Sequence, residues 1–324
     1  MLPSWMKTST SWVSKAPAPA VLTRYDAMAD RSAHQVISTY STSFSVATNV
    51  LAPRMRADIR NLYAMVRIAD EIVDGTAEHA GLPHDEIVEM LDGYERAVLA
   101  APHYRFHVDP VLHAYAGTAR RCHFDPENVR AFFRSMRMDL SKATHNAESL
   151  SEYIYGSAEV IGLMCLSVFL QDRDDIQQET RETLVLGARA LGAAFQKINF
   201  LRDYAEDTGD LGRIYFPEIL DQGLNDKSKA LIVADIRGDL LNARKTVPLL
   251  PLGARAGVLA ATGLFQALTE KISGASADEV RSGRISIRDS HKILIAVLSI
   301  GRALIMAISA RPTTLPSTSK DPSQ

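Results

Sequence analysis

Apolar residues in this chain recur at helical spacing. Ile59, Leu62, Tyr63, Val66 and Ala69 mark one side of a helix that runs into Asp70. Prolines punctuate the pattern at Ala52-Pro53, Gly81-Leu82-Pro83, Ala101-Pro102, Asp125-Pro126, Phe216-Pro217 and Leu250-Pro251, leaving segments of helical length. No alternation of strands with crossover helices is visible, which argues against a doubly wound nucleotide-binding sheet. There is no short-period repeat. The expected fold is therefore all-α. With 324 residues at 46% hydrophobic composition, the chain can bury one large core. A single domain over residues 26–310 is expected, between flexible tails at 1–25 and 311–324 that are rich in Ser, Thr and Pro.

Charge and cysteine usage narrow the function. A formal net charge of −2 gives no basic field for nucleic acid, so any anion site must be local. Only Cys122 and Cys165 occur, without metal-ligand spacing, and no secretory segment precedes them; a reducing cytoplasm fits. The most apolar stretch, Ile293 to Ile308, is interrupted by Gly301 and Arg302 and falls short of the ~20 residues of a spanning helix. It reads as a buried terminal helix, with peripheral membrane contact as the other reading. Nothing in the sequence sets an oligomeric state.

Two acidic clusters carry the chemistry. Asp70 and Asp74 stand four residues apart, as do Asp203 and Asp207, so each pair shares a helix face and can offer oxygens to one cation. Mg²⁺, or Mn²⁺ in its place, prefers such ligands together with phosphate oxygens. Asp125-Pro126-Glu127 reads as an N-cap with proline at the first helical position, opening a helix through Met138. A long helix is expected from Leu184 to Asp207, carrying Gln196 and a stripe of Asn199, Asp203 and Asp207. Either Asp pair alone would more often be a solvated helix face. Glu71 and Glu206 point elsewhere on their helices and suit supporting or solvent roles. The nine histidines form no metal cluster.

The stretches Arg60 to Asp74 and Gln196 to Asp207, with Tyr40-Ser41-Thr42-Ser43-Phe44, Met138-Asp139-Leu140, Tyr153 to Ala158 and Gly212 to Pro217, resemble the squalene/phytoene synthase family over roughly residues 30–300. That resemblance implies an isoprenoid-synthase helical bundle around a deep central cavity. It also implies two prenyl diphosphate substrates, with Asp70, Asp74, Asn199, Asp203 and Asp207 as Mg²⁺ ligands. Arg67, Arg202 and Arg213 become phosphate partners, since guanidinium pairs with phosphate oxygens. Tyr40, Ser41, Ser43, Gln196 and Tyr215 become substrate contacts, with Tyr215 closing over a diphosphate. Phe44, Tyr63 and Tyr153 become aromatic faces for a carbocation.

The reaction this implies is head-to-head condensation of two geranylgeranyl diphosphates through prephytoene diphosphate to phytoene, without NADPH. Two farnesyl diphosphates giving squalene or dehydrosqualene is the alternative. A non-catalytic lipid-binding or assembly relative is the alternative of another class. Two departures from common family patterns bear on chain length and one phosphate contact: Glu159, where a small residue is frequent, and Phe265, where tyrosine is frequent.

Overall fold

The computed structural model describes residues 20–309, apart from 142–143, 174 and 210–211. Among these residues the architecture is all-α, with a single isolated bridge between Thr144 and Ile214 as its β pairing. The first helix, α1 (Ala20–Tyr40), begins inside the stretch expected to be a tail. Its Tyr25 donates to the carbonyl oxygens of His107 and Val108, and its ring meets Phe106 and His113, so residues 20–25 are tied to the bundle. The remainder of that expected tail, 1–19, lies outside the described residues, as does 311–324.

α2 (Thr42–Asn49) follows one residue later, with Ser41 as its N-cap. α3 (Pro53–Val73) starts on proline and ends at Asp74. Gly75, at φ +93, turns the chain away there into α4 (Thr76–His79). α5 (His84–Ala100), α6 (Pro110–Cys122) and α7 (Pro126–Asp139) complete the first half. Asp125 caps α7 as expected, its Oδ1 accepting from the Glu127 amide at 2.9 Å.

In the second half, α8 (Ala147–Ile154) passes through a π-helical turn at Tyr155–Glu159 into α9 (Val160–Leu170). The expected helix from Leu184 to Asp207 is two helices: α10 (Gln178–Arg202) and α11 (Tyr204–Gly209). The chain bends at Asp203, yet the amides of Asp203 and Asp207 still bond to the carbonyls four residues back, both at 2.9 Å. The acidic stripe therefore survives the break. Glycine lets α10 approach the π turn: a Cβ on Gly192 would sit 2.4 Å from the Ala158 carbonyl oxygen.

α12 (Asp226–Thr246) packs along α10, α13 (Leu252–Gly274) against α12 and α2, then α14 (Ala277–Ser282) and α15 (Asp289–Ser309) follow. Val160, Met164, Phe132 and Phe133 anchor one apolar cluster, and Ile198, Leu201, Ile219 and Ile236 another. α15 departs from the buried terminal helix expected. It rests on α13 and α2 but turns its large apolar side chains outward.

Half-buried apolar side chains run in a line from α3 (Met55, Ile59, Val66), α9 (Ile161, Cys165) and α10 (Val185, Ala188, Leu191, Phe195). Near the acidic end, however, Phe195 stacks on Phe265 with ring centroids 3.8 Å apart, and Phe44 closes on both at 5.8 and 5.6 Å. Two hollows, of about 210 and 250 Å³, lie at the surface.

Candidate active site

Three helices end in aspartate at the same end of the bundle. Asp74 is the C-cap of α3, Asp203 the C-cap of α10, and Asp139 the last residue of α7. A helix C-terminus carries partial negative charge, so carboxylates there are disfavoured unless cations answer them. Arginines do so in part. The Arg213 Nη1 meets Asp74 Oδ1 at 3.1 Å and lies 3.9 Å from Asp139 Oδ1; Nη2 donates to the carbonyl oxygens of Val73 at 3.0 Å and Asp139 at 3.2 Å. The same residue's amide donates to the Asp207 carbonyl at 2.7 Å. Arg213 is thus a buried clamp joining the two acidic elements.

Arg67 lies 3.9 Å from Asp70, pairs with Glu71, and stacks over the Tyr40 ring at 4.4 Å. Arg202 pairs with Asp203, which also forms an ion pair with Arg284, Nε lying 3.0 Å from Oδ1. The two clusters converge on Tyr63. Burial pushes its phenol up to about 12, while Arg67, Asp70, Arg202 and a hydrogen bond with Ser41 all act on it.

Even with these arginines the acids are under-compensated. Burial and Asp74 hold Asp70 well above the usual carboxylate range. Burial and then Asp203 push Asp207 up to about 7. Burial does the same to Asp139, to about 7, against the pull of Arg213. The Asn199 Oδ1 is buried without a hydrogen-bond partner, an acceptor left over on the acidic stripe. Among the described residues no three acidic, histidine or cysteine side chains converge into a protein-only metal cage. That donor set fits Mg²⁺, which is held by one or two carboxylates plus phosphate oxygens.

The remaining expected residues divide. Ser41 caps α2, accepting from the Phe44 amide at 3.2 Å, and Ser43 sits half-buried in the first turn. Phe44 touches Tyr63, Phe195 and Phe265 at the mouth of the apolar line. Gln196 is half-buried one turn before Asn199. Tyr153 and Tyr215 turn their hydroxyls to Asp139. Both are buried, their hydroxyls reach Asp139 at 2.8 and 3.5 Å, and Tyr215 lies flat on Phe200 at 3.9 Å. Both hydroxyls therefore hold Asp139 in place. Glu159 pairs with Arg189 of α10.

Asp139 and Arg284 were given no role by sequence reasoning. An acid closing a helix that starts at Asp125-Pro126 was a usable signal for Asp139, because the macrodipole opposes it. Arg284 sits in the segment between α14 and α15 and becomes visible only when the fold brings it to Asp203. Lys292, the buried cation of α15, bonds to Thr42 between Ser41 and Ser43.

A helical bundle with acidic helix ends facing one another above an apolar interior defines the class of all-α isoprenoid synthases. Within that class, the profile of the squalene/phytoene synthase family matches residues 37–291, and the chain belongs to this family. Phytoene synthase 3, chloroplastic, of Zea mays is 34% identical over 187 residues, 57% of this chain and 41% of that protein. Phytoene synthase, chloroplastic, of an Oncidium hybrid cultivar is 27% identical over 298 residues, 86% of this chain and 69% of that protein. The crystal structure of a dehydrosqualene synthase in complex with ligand shares the fold, with a TM-score of 0.66 at 20% identity over 89% of this chain and 99% of that one.

Proposed function

We propose that the chain is a phytoene synthase, joining two geranylgeranyl diphosphates head to head through prephytoene diphosphate to phytoene in carotenoid biosynthesis. The observation that carries this reading is the convergence of Asp70, Asp74, Asn199, Asp203 and Asp207 with Arg67, Arg202 and Arg284 above one line of apolar residues. The relatives named phytoene synthase support geranylgeranyl over farnesyl diphosphate.

In this reading the five oxygen-bearing residues hold Mg²⁺, which neutralises the departing diphosphate when bound. Arg67, Arg202 and Arg284 give donors to its oxygens; Arg213 holds Asp74 and the ends of α3 and α7 in register. The C1–O bond of one substrate breaks and diphosphate leaves with the electron pair. The C2–C3 double bond of the second substrate then attacks C1, and proton loss closes the cyclopropane. Phe44, Phe195 and Phe265 offer π faces to the cation and exclude water. A second ionisation, rearrangement and proton loss give the conjugated triene. No reductant enters this balance, so NADPH has no part. A reducing cytoplasm belongs to the same proposal, Cys122 and Cys165 being free thiols.

The test is incubation of pure protein with Mg²⁺ and labelled farnesyl or geranylgeranyl diphosphate, with and without NADPH, and product identification by mass. A C40 hydrocarbon from geranylgeranyl diphosphate alone is expected. Exclusive C30 product overturns the chain length, and no condensation with either substrate overturns the activity.

A further inference from the structure

His145 is buried beside the acidic site, 2% exposed. It lies beyond the end of α7, next to Thr144, whose bridge to Ile214 lays the chain leaving α7 alongside the chain leaving α11. Parallel pairing of Thr144 with Ile214 sets His145 beside Tyr215. Their rings are 5.6 Å apart and 17° from parallel, and the His145 ring also meets Tyr153 at 5.2 Å. Tyr153 and Tyr215 touch each other at 5.4 Å, with Phe200 of α10 against both. We propose that His145 is a positioning residue: its ring braces Tyr153 and Tyr215 so that both hydroxyls stay on Asp139, and Asp139 in turn holds Arg213 against Asp74.

A tyrosine hydroxyl lies at the far end of its ring, so a small tilt takes it out of hydrogen-bond range. The Tyr153 hydroxyl donates to Asp139 Oδ2 at 2.8 Å and the Tyr215 hydroxyl reaches Oδ1 at 3.5 Å, one to each carboxylate oxygen. Asp139 closes α7, where the macrodipole disfavours its charge. Burial and Asp74 of α3 also oppose that charge; Arg213, Tyr153 of α8 and Tyr215 favour it. His145 comes from the chain leaving α7 itself and ties that chain back onto the two tyrosines. A flat ring suits this place, because it can lie along Tyr215 where a branched aliphatic side chain of similar bulk cannot.

Two arms test this, and only the second rests on the diphosphate site proposed above. In the first, thermal midpoints are followed against pH in chelator-containing buffer for two variants. His145→Phe keeps a flat ring and His145→Leu keeps bulk alone; both lack the imidazole, so its own titration cancels from the comparison. Hydrogen bonds donated to a carboxylate lower its proton affinity, so losing them raises Asp139 further above its ordinary range. The fall in stability with rising pH should therefore extend about one pH unit higher in His145→Leu than in His145→Phe. Tyr153→Phe, which removes a hydroxyl and leaves His145 in place, should show the same displacement.

In the second arm, calorimetric affinity for Mg²⁺ with inorganic diphosphate should fall about tenfold in His145→Leu and stay within about twofold of the unchanged chain in His145→Phe. Tyr115→Leu removes a buried ring from the separate cluster around Phe132 and should leave that affinity unchanged. Coincident pH curves for His145→Phe and His145→Leu overturn the proposal, as does a Tyr153→Phe curve that does not move. Absence of binding by the unchanged chain contradicts the diphosphate site, and the pH curves then decide the role of His145 by themselves.

Discussion

Phe265 stands in the ring stack that closes the apolar line beneath the acidic site, and its removal separates packing from chemistry. The ring is 4% exposed, lies 3.8 Å from Phe195 and 5.6 Å from Phe44. Truncating a buried phenylalanine to alanine costs about 3–5 kcal/mol. An unfolding entropy of about 2.1 cal/mol/K per residue over 324 residues gives roughly 0.7 kcal/mol/K, so a loss of about 4 kcal/mol lowers the thermal midpoint of Phe265→Ala by about 6 °C. Phe265→Leu keeps most of the volume and loses the π face. Its midpoint should fall less, while turnover drops about tenfold, the equivalent of about 1.4 kcal/mol of cation stabilisation. Water admitted to the loosened site should appear as prenyl alcohol in both variants, most in Phe265→Ala. Calorimetry and mass analysis of products read the two effects separately. A Phe265→Leu protein with full turnover and no alcohol would refute the role assigned to the aromatic faces. An Ala variant whose midpoint stays within a degree would refute the packing.

Asp70→Asn and Asp203→Asn should each lower turnover at least a thousandfold with the helical circular dichroism spectrum intact; substantial activity in either removes it from the metal site. Arg284→Ala loses a charge-assisted contact worth about 1.5–3 kcal/mol, expected as a ten- to hundredfold fall in kcat/KM, and an unchanged value would leave Arg284 as a partner of Asp203 alone. Asp139 ionises at about 7 in the folded chain against 3.8 ordinarily. The unfolded chain therefore sheds this proton first, and the metal-free native state loses stability as pH rises from about 4 to about 7. Asp139→Asn should remove part of that slope in chelator-containing buffer, and parallel midpoint curves for the two proteins would contradict it. Gly192→Ala drives a methyl to 2.4 Å from the Ala158 oxygen, an overpacking cost of about 1–3 kcal/mol seen in urea titration.

Most of the helical framework was legible because proline and capping residues act locally. Asp125 accepts from the Glu127 amide of its own helix, and Pro53 starts α3 where a free amide is surplus. The acidic pairs were legible for the same reason, since a spacing of four survives even the bend at Asp203. What escaped depends on partners far along the chain. Tyr153 and Tyr215 look like cavity aromatics until the fold places Asp139 between their hydroxyls. Ile293 to Ile308 was read as core because apolarity was counted without orientation; the buried stripe is the small and polar one. The ring stack joins α2, α10 and α13, and no window of sequence contains all three.

The placement of the acids explains why the site is both costly to the fold and specific in its demand. Carboxylates at three helix C-termini oppose the macrodipoles, each by about 0.3–1 kcal/mol and up to about 2 when partly buried. They could have been stabilised at helix N-termini, where serine and asparagine cap α2, α8 and α12 instead. Arg213 offsets part of the cost, but it is buried against two carbonyl oxygens and joins the helix ends without closing the outer face of the cluster. The charge that remains points toward the mouth of the apolar line. Cations brought in with a diphosphate complete it, whereas an uncharged hydrocarbon offers nothing to those carboxylates. In the proposed reaction, affinity for the ionised end of the substrate and release of the hydrocarbon product would follow from one arrangement, acids set against the dipoles of the helices that carry them.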